Sequence, residues 1–203
     1  LMESGRAWIG TKDAQEGLDY FERAAKLSNG YTNKLLEAQK NLDIVTILLR
    51  RGQGASIKPF VDKAYNIYTV EVAPNDFRLG LMSYHKSIIA ARENIPNEAI
   101  EYLMGALTAF KAPAGESIGD LERTVRTRLI AAYENTSQRD AATEHCLVLA
   151  ADQEFSPTAP SIFRKEAVFS DAVMEQKLSG SVQLTFTIDE QGYVVDPTIQ
   201  ASD

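Results

Sequence analysis

The chain has 203 residues, 44% of them hydrophobic and 24% charged, a composition that supports a packed core and argues against disorder. Its 21 Lys and Arg stand against 28 Asp and Glu, for a net charge of −7. A nucleic-acid groove needs a surplus of cations to displace counterions from phosphate, so nucleic acid is excluded, and anionic lipid is disfavoured on the same ground. The single cysteine, Cys146, allows no internal disulfide and leaves the redox compartment open. Apolar clusters such as Ile44-Val45-Thr46-Ile47-Leu48-Leu49 fall far short of the roughly 18 residues that span a bilayer. The sequence opens at Leu1 without a leader pattern, and is read as a mature or excised fragment.

Up to about Gln153, apolar residues recur at three and four, as in Leu18, Phe21, Ala25, then Phe60, Ala64, Ile67, then Leu103, Ala106, Phe110. That spacing puts them on one helical face. Breaks fall at Ser28-Asn29-Gly30, Gly52-Gln53-Gly54, Ala73-Pro74-Asn75, Asn94-Ile95-Pro96, Pro113-Ala114-Gly115 and Asn135-Thr136-Ser137. Each offers a left-handed residue, a fixed φ or a side-chain cap. The pattern predicts helices near 11–28, 31–52, 55–72, 75–94, 97–112, 117–135 and 138–152, with residues 1–9 supplying the end of a cut first partner. Ser117 with Asp120 reads as a capping pair. Connections this short make neighbouring helices antiparallel.

The second helix of each pair carries a small or aliphatic residue, a bulky one four later and a small one seven later. Gly17, Phe21 and Ala24 show it, as do Ile57, Val61 and Ala64, and Ala99, Leu103 and Ala106; Ala142, Cys146 and Leu149 follow more loosely. A near-constant period of about 40 residues marks an α-solenoid. The small-bulky-small pattern resembles the second helix of tetratricopeptide repeats, although those have a period of about 34. HEAT-like pairs share the longer period but lack this alanine pattern. The expected fold is therefore mainly α: a tetratricopeptide-like array of antiparallel helix pairs over 1–153, a linker over 154–160 containing Pro157 and Pro160, and a small module over 161–203.

In that last module Val182, Leu184, Phe186 and Ile188 alternate with Gln183, Thr185 and Thr187, a turn follows at Asp189-Glu190-Gln191-Gly192, and Tyr193-Val194-Val195 resumes a strand. This is a β-hairpin with one apolar face. Asp171 to Leu178 could form a short covering helix. The run Ile162-Phe163-Arg164, Val168-Phe169-Ser170, Ala172 and Leu178-Ser179-Gly180 through Tyr193-Val194 resembles the first half of a TonB C-terminal domain. It departs at Phe169-Ser170, where that family has Tyr-Pro, and lacks the family's later helix and final strand. The helical part also resembles energy-transducer TonB proteins that carry tetratricopeptide repeats. The resemblance implies a Gram-negative periplasmic protein, anchored or exported by a segment outside this sequence. Its repeats would dock a protein partner, and its C-terminal module would contact outer-membrane transport receptors. The alternative is a plain envelope scaffold whose hairpin caps the repeats. With the second half of the module missing, the hairpin edge is expected to pair with a second copy, or to pack on the last helices through Phe169 and Val173.

Chemistry is sparse. His145 and Cys146 are adjacent but point about 100° apart on a helix, so they form no dyad, and Cys146 is expected to be a buried, inert thiol. With His85 they are too few for a zinc site. Carboxylates such as Glu16, Asp19, Glu22, Glu98 and Glu101 lie along solvated helix faces, and Gly52-Gln53-Gly54 follows a helix rather than a strand, the wrong context for a phosphate turn. Asn135-Thr136-Ser137 matches a glycosylation acceptor only formally. No catalytic set, metal site or cofactor site is predicted. The candidate partner contacts are aromatic: Tyr65, Tyr68, Phe77 and Tyr84 in the helices, which could instead fill gaps between repeats, and Tyr193 in the hairpin.

Overall fold

A computed structural model describes residues 1–9, 14–152, 181–189 and 193–202. Among these, eight α-helices precede a two-stranded hairpin: α1 (Met2–Trp8), α2 (Ala14–Ser28), α3 (Lys34–Arg50), α4 (Lys58–Glu71), α5 (Phe77–Arg92), α6 (Pro96–Phe110), α7 (Asp120–Asn135), α8 (Arg139–Ala151), then β1 (Val182–Ile188) and β2 (Val194–Ser202). The boundaries fall within a few residues of those the periodicity predicts, and residues 2–8 form a short helix of their own. The linker 154–160, the covering segment 171–178, Phe169 and Val173 lie outside the described residues.

Helix starts and stops follow local chemistry. The Asn33 side chain accepts from the Leu36 amide to open α3, and Asp76 accepts from the Arg78 amide to open α5. Pro96 occupies the first position of α6, where a missing N–H costs nothing. The first helices of three pairs end in the same way. Gly52, Asn94 and Ser137 take φ of 74°, 60° and 60° after α3, α5 and α7. The next amide then donates back to the carbonyl five residues earlier: Gln53 to Leu48, Ile95 to Ala90 and Gln138 to Tyr133, at 2.8 to 2.9 Å. These are Schellman closures, satisfying carbonyls that the helix end would otherwise leave unpaired. With α3, α5 and α7 starting at Lys34, Phe77 and Asp120, 43 residues apart each time, the chain is a helical repeat in structure as well as in pattern.

Substantial packing runs between consecutive helices, as in a quasi-one-dimensional array. Phe21, Ile44, Leu48, Val61, Tyr68 and Met82 join α2 to α5 in one apolar cluster; Leu103, Val125 and Leu129 belong to a second across α6 and α7, and Ile130 with Leu149 to a third between α7 and α8. The small positions of the repeat pattern have a steric cause. Ala64, Ala106 and Ala142 are fully buried, and a Cβ on Gly17 would meet the Ile9 backbone nitrogen at 2.7 Å. One expectation is corrected. Gly119, not Ser117, caps α7, and it makes no side-chain bond. Asp152, just past α8, takes over that end: its carboxylate accepts from the Ile118 amide at 3.1 Å and pairs with Arg123 at 2.5 Å.

In the hairpin, Val182 pairs with Ser202 and Ile188 with Val194, antiparallel, and the nine residues of β2 are fitted to the seven of β1 by two register shifts. One shift faces Phe186 and contains Asp196, at φ 50°, followed by Pro197. The apolar side chains Val182, Leu184, Phe186, Ile188, Val194 and Ile199 are 49% to 66% exposed.

Candidate interaction surfaces

The five aromatic positions singled out from sequence do not form one stripe. Tyr65 on α4 meets Tyr102 on α6 edge to face at 5.5 Å, and the Lys86 ammonium of α5 lies 5.0 Å from the Tyr102 ring centre and 2.7 Å from the Asp62 carboxylate. Burial alone would lower the Lys86 ammonium, but its bond to Asp62 outweighs that and holds it above the usual lysine value. Tyr84 turns the other way, accepting from Arg128 Nε of α7 at 3.0 Å. Phe77 packs against Phe110 with ring centres 5.4 Å apart and remains 54% exposed.

Tyr68 is a correction. It is wholly buried in the core, where desolvation pushes its phenol up to about 12, and the Arg78 guanidinium covers its ring at 5.3 Å. A side chain with no exposed surface cannot meet a partner, so Tyr68 fills a gap between pairs. Helical spacing alone does not distinguish the two roles, because neighbouring turns of one helix face both the core and the solvent.

Tyr193 joins the hairpin to α8. Its ring lies under the Arg139 guanidinium at 3.6 Å, and its hydroxyl sits 2.5 Å from Thr143 Oγ1 and 3.0 Å from the Arg139 carbonyl oxygen, at the start of α8. Asp189 holds the turn side, its carboxylate accepting from the Tyr193 amide at 2.8 Å. A cleft of about 330 Å³ lies between these groups, lined by Arg139, Asp140, Thr143, Asp189 and Tyr193.

Sequence reasoning missed two features. One is a buried polar network. Glu122 and Arg126 of α7 and His145 of α8 are 1%, 6% and 7% exposed. Glu122 accepts from Arg126 Nε at 2.8 Å and from the Ala112 amide at 2.6 Å, while Arg126 Nη1 lies 3.1 Å from His145 Nδ1. A guanidinium can only donate, so His145 Nδ1 must accept and the ring must be neutral. Burial first, and then Arg126, keeps the His145 imidazole below its ordinary value. The ring also stacks on Tyr133 with planes 9° apart. The group ties the α6–α7 connection to α7 and α8. Each partner satisfies another, so the network is structural. Cys146 beside it is partly exposed rather than buried, and desolvation followed by Glu134 raises its thiol. The thiol form is thereby favoured at neutral pH.

The other is a cleft of about 400 Å³ between α1 and α3, lined by Arg6, Asp43, Thr46, Ile47, Arg50 and Arg51. Only Arg50-Arg51 hints at it in sequence, and two cations at a helix C-terminus are equally well explained by the helix dipole. Among the described residues, no group of three or more His, Cys, Asp or Glu is placed to hold a metal, and no helix is long and apolar enough to cross a membrane.

No family model matches the chain, and no curated protein matches it. Among solved structures, the crystal structure of BtubC (BKLC) from P. vanneervenii is similar, with a TM-score of 0.52 at 13% identity, covering 77% of this chain and 63% of that one. The chain thus spans under two thirds of the length of BtubC, and at this identity the likeness concerns the helical architecture alone.

Proposed function

We propose that this chain acts by binding other proteins, with the helix pairs as a docking scaffold and the C-terminal hairpin as a TonB-like module that captures an extended strand of an outer-membrane transport receptor. The reading entails a periplasmic location in a Gram-negative envelope and no turnover. The observation that carries it is the contrast between the two strands of the hairpin. β2 is interrupted by two register shifts and by Pro197, which has no amide to donate, and such features blunt a strand edge. β1 is unbroken from Val182 to Ile188, contains no proline and carries an exposed apolar row. An unbroken edge beside exposed apolar side chains suits the addition of a partner strand, with backbone bonds for affinity and side chains for selectivity. A hairpin that served only to cap the repeats would bury that row against the helices; here the strands stand clear, tethered at Tyr193.

The test is titration of this chain with the soluble periplasmic segment of such a receptor, followed by amide hydrogen exchange. Binding with new protection across Val182–Ile188, lost in Phe186→Ser, is the expected result. Absence of binding, or protection confined to the helices, contradicts the proposal.

A further inference from the structure

The planar guanidinium of arginine presents five donors in a fork that matches a carboxylate, so an exposed arginine without a protein partner is available to one from outside. Among the described arginines, Arg6 pairs with Glu3, Arg23 lies over Tyr20, Arg78 grips Asp76 and Arg92 donates to the Gly54 carbonyl. Arg123, Arg126, Arg128 and Arg139 are likewise engaged, with Asp152, Glu122, Tyr84 and Tyr193. Arg50 and Arg51 are the exceptions, with no side-chain partner among the described residues. Both line the α1–α3 cleft, and Arg6 reaches it from α1.

The remaining wall is not that of a bare anion site. The Asp43 carboxylate lies in the cleft, where it accepts from Gln39 at 3.0 Å and pairs with Lys40 at 3.5 Å rather than with Arg50 or Arg51. Thr46 donates its hydroxyl proton to the Leu42 carbonyl, leaving its oxygen as an acceptor, and Ile47 adds apolar surface. The cleft therefore offers cations for carboxylates, acceptors for peptide N–H groups and one apolar contact. Its volume falls within the ordinary range for ligand sites. A phosphate ion would use only the arginines and would leave the acceptors and the Ile47 surface unused. An extended acidic peptide uses all three kinds of group.

We infer that the cleft between α1 and α3 binds an acidic peptide segment of a partner protein, its carboxylates held by Arg50 and Arg51 with Arg6 in support. The inference rests on the helix pairs being a docking scaffold, and is independent of the TonB-like reading of the hairpin. These are exposed, charge-assisted contacts, so binding weakens with salt.

The test is fluorescence anisotropy on the full chain, using a labelled peptide of alternating Glu and Ala, with the matching Gln and Ala peptide as control. The Glu peptide should bind and the Gln peptide should not. Arg50→Ala with Arg51→Ala should weaken binding about tenfold, as expected for losing two exposed ionic contacts. Arg51→Gln alone, beyond the helix end, gives a smaller loss with no risk to folding. Arg128→Ala, outside the cleft, and Phe186→Ser, in the hairpin, should both leave binding unchanged. Binding that is equal for the two peptides, or unaffected by the arginine variants, overturns the inference. So does displacement of the peptide by inorganic phosphate at concentrations where sodium chloride of the same ionic strength has no effect, because that marks a small-oxyanion site.

Discussion

The helix pairs and the hairpin treat the same apolar residue types in opposite ways. In the helices, Phe21, Ile44, Leu48, Val61 and Leu129 are sealed between neighbouring elements, and each Schellman closure turns the chain so that the next helix can cover the last. In the hairpin, Val182, Leu184, Phe186 and Ile188 stand open on strands that, among the described residues, form a sheet only with each other. An isolated two-stranded hairpin is marginal in water. The helical array thus carries its own stability, whereas the hairpin has surface left to bury against something else.

The largest expected effects lie within the array. Replacing Arg126 by Met leaves the Glu122 carboxylate buried without its cation, which costs about 3–5 kcal/mol in a urea melt. Leu48→Ala opens a cavity in a fully buried site and costs about 2–5 kcal/mol. Phe186→Ser should shift that same melt by no more than about 0.5 kcal/mol, since the ring is half exposed and off the core. Equal losses for the core and hairpin variants would break the comparison.

A pH titration sharpens it further. Both histidines of the chain lie in the array and are held below the ordinary imidazole value, His145 by burial and then Arg126, His85 by burial. On unfolding they return to about 6.5, so the unfolded chain binds more protons than the folded one below that pH. Stability from this source is complete above about pH 6.5 and is lost as pH falls through and below it. Urea midpoints at about pH 7.5 and about pH 5.5 should differ, and His145→Gln with His85→Gln should narrow the difference. An unchanged difference in the double variant contradicts the assignment.

The smallest effect is a gain. Ser137 adopts φ 60° at a closure where its counterpart after α3 is Gly52, and a side chain in the left-handed region costs roughly 1 kcal/mol. Ser137→Gly should raise the melting midpoint accordingly, and a lowered midpoint would show that the Ser137 side chain contributes more than its strain removes.

What was legible in the sequence follows the same division. Helix existence and repeat period were readable because burial on one face forces a 3.6-residue rhythm, and because Gly52 and Asn94 suit the left-handed closure that each first helix needs. The alternation of the hairpin was equally plain. The Glu122–Arg126–His145 network was not: a Glu and an Arg four apart read as an ordinary exposed helix pair, and only the approach of α8 and of the Ala112 amide buries them. The burial of Tyr68 beside partly buried Tyr65 and the convergence of Arg6 on Arg50 and Arg51 likewise depend on how helices sit together, which no local spacing records.

Residue-resolved amide exchange under native conditions tests the central claim most directly, because it reads the stability of both regions in one sample. Amides within α3 to α7 should exchange only through global unfolding, at a common slow limit, while those of Val182–Ile188 exchange far faster and slow down only when a partner strand is supplied. Hairpin amides as slow as those of the core in the isolated chain would show that the hairpin is already complete, and would contradict the account.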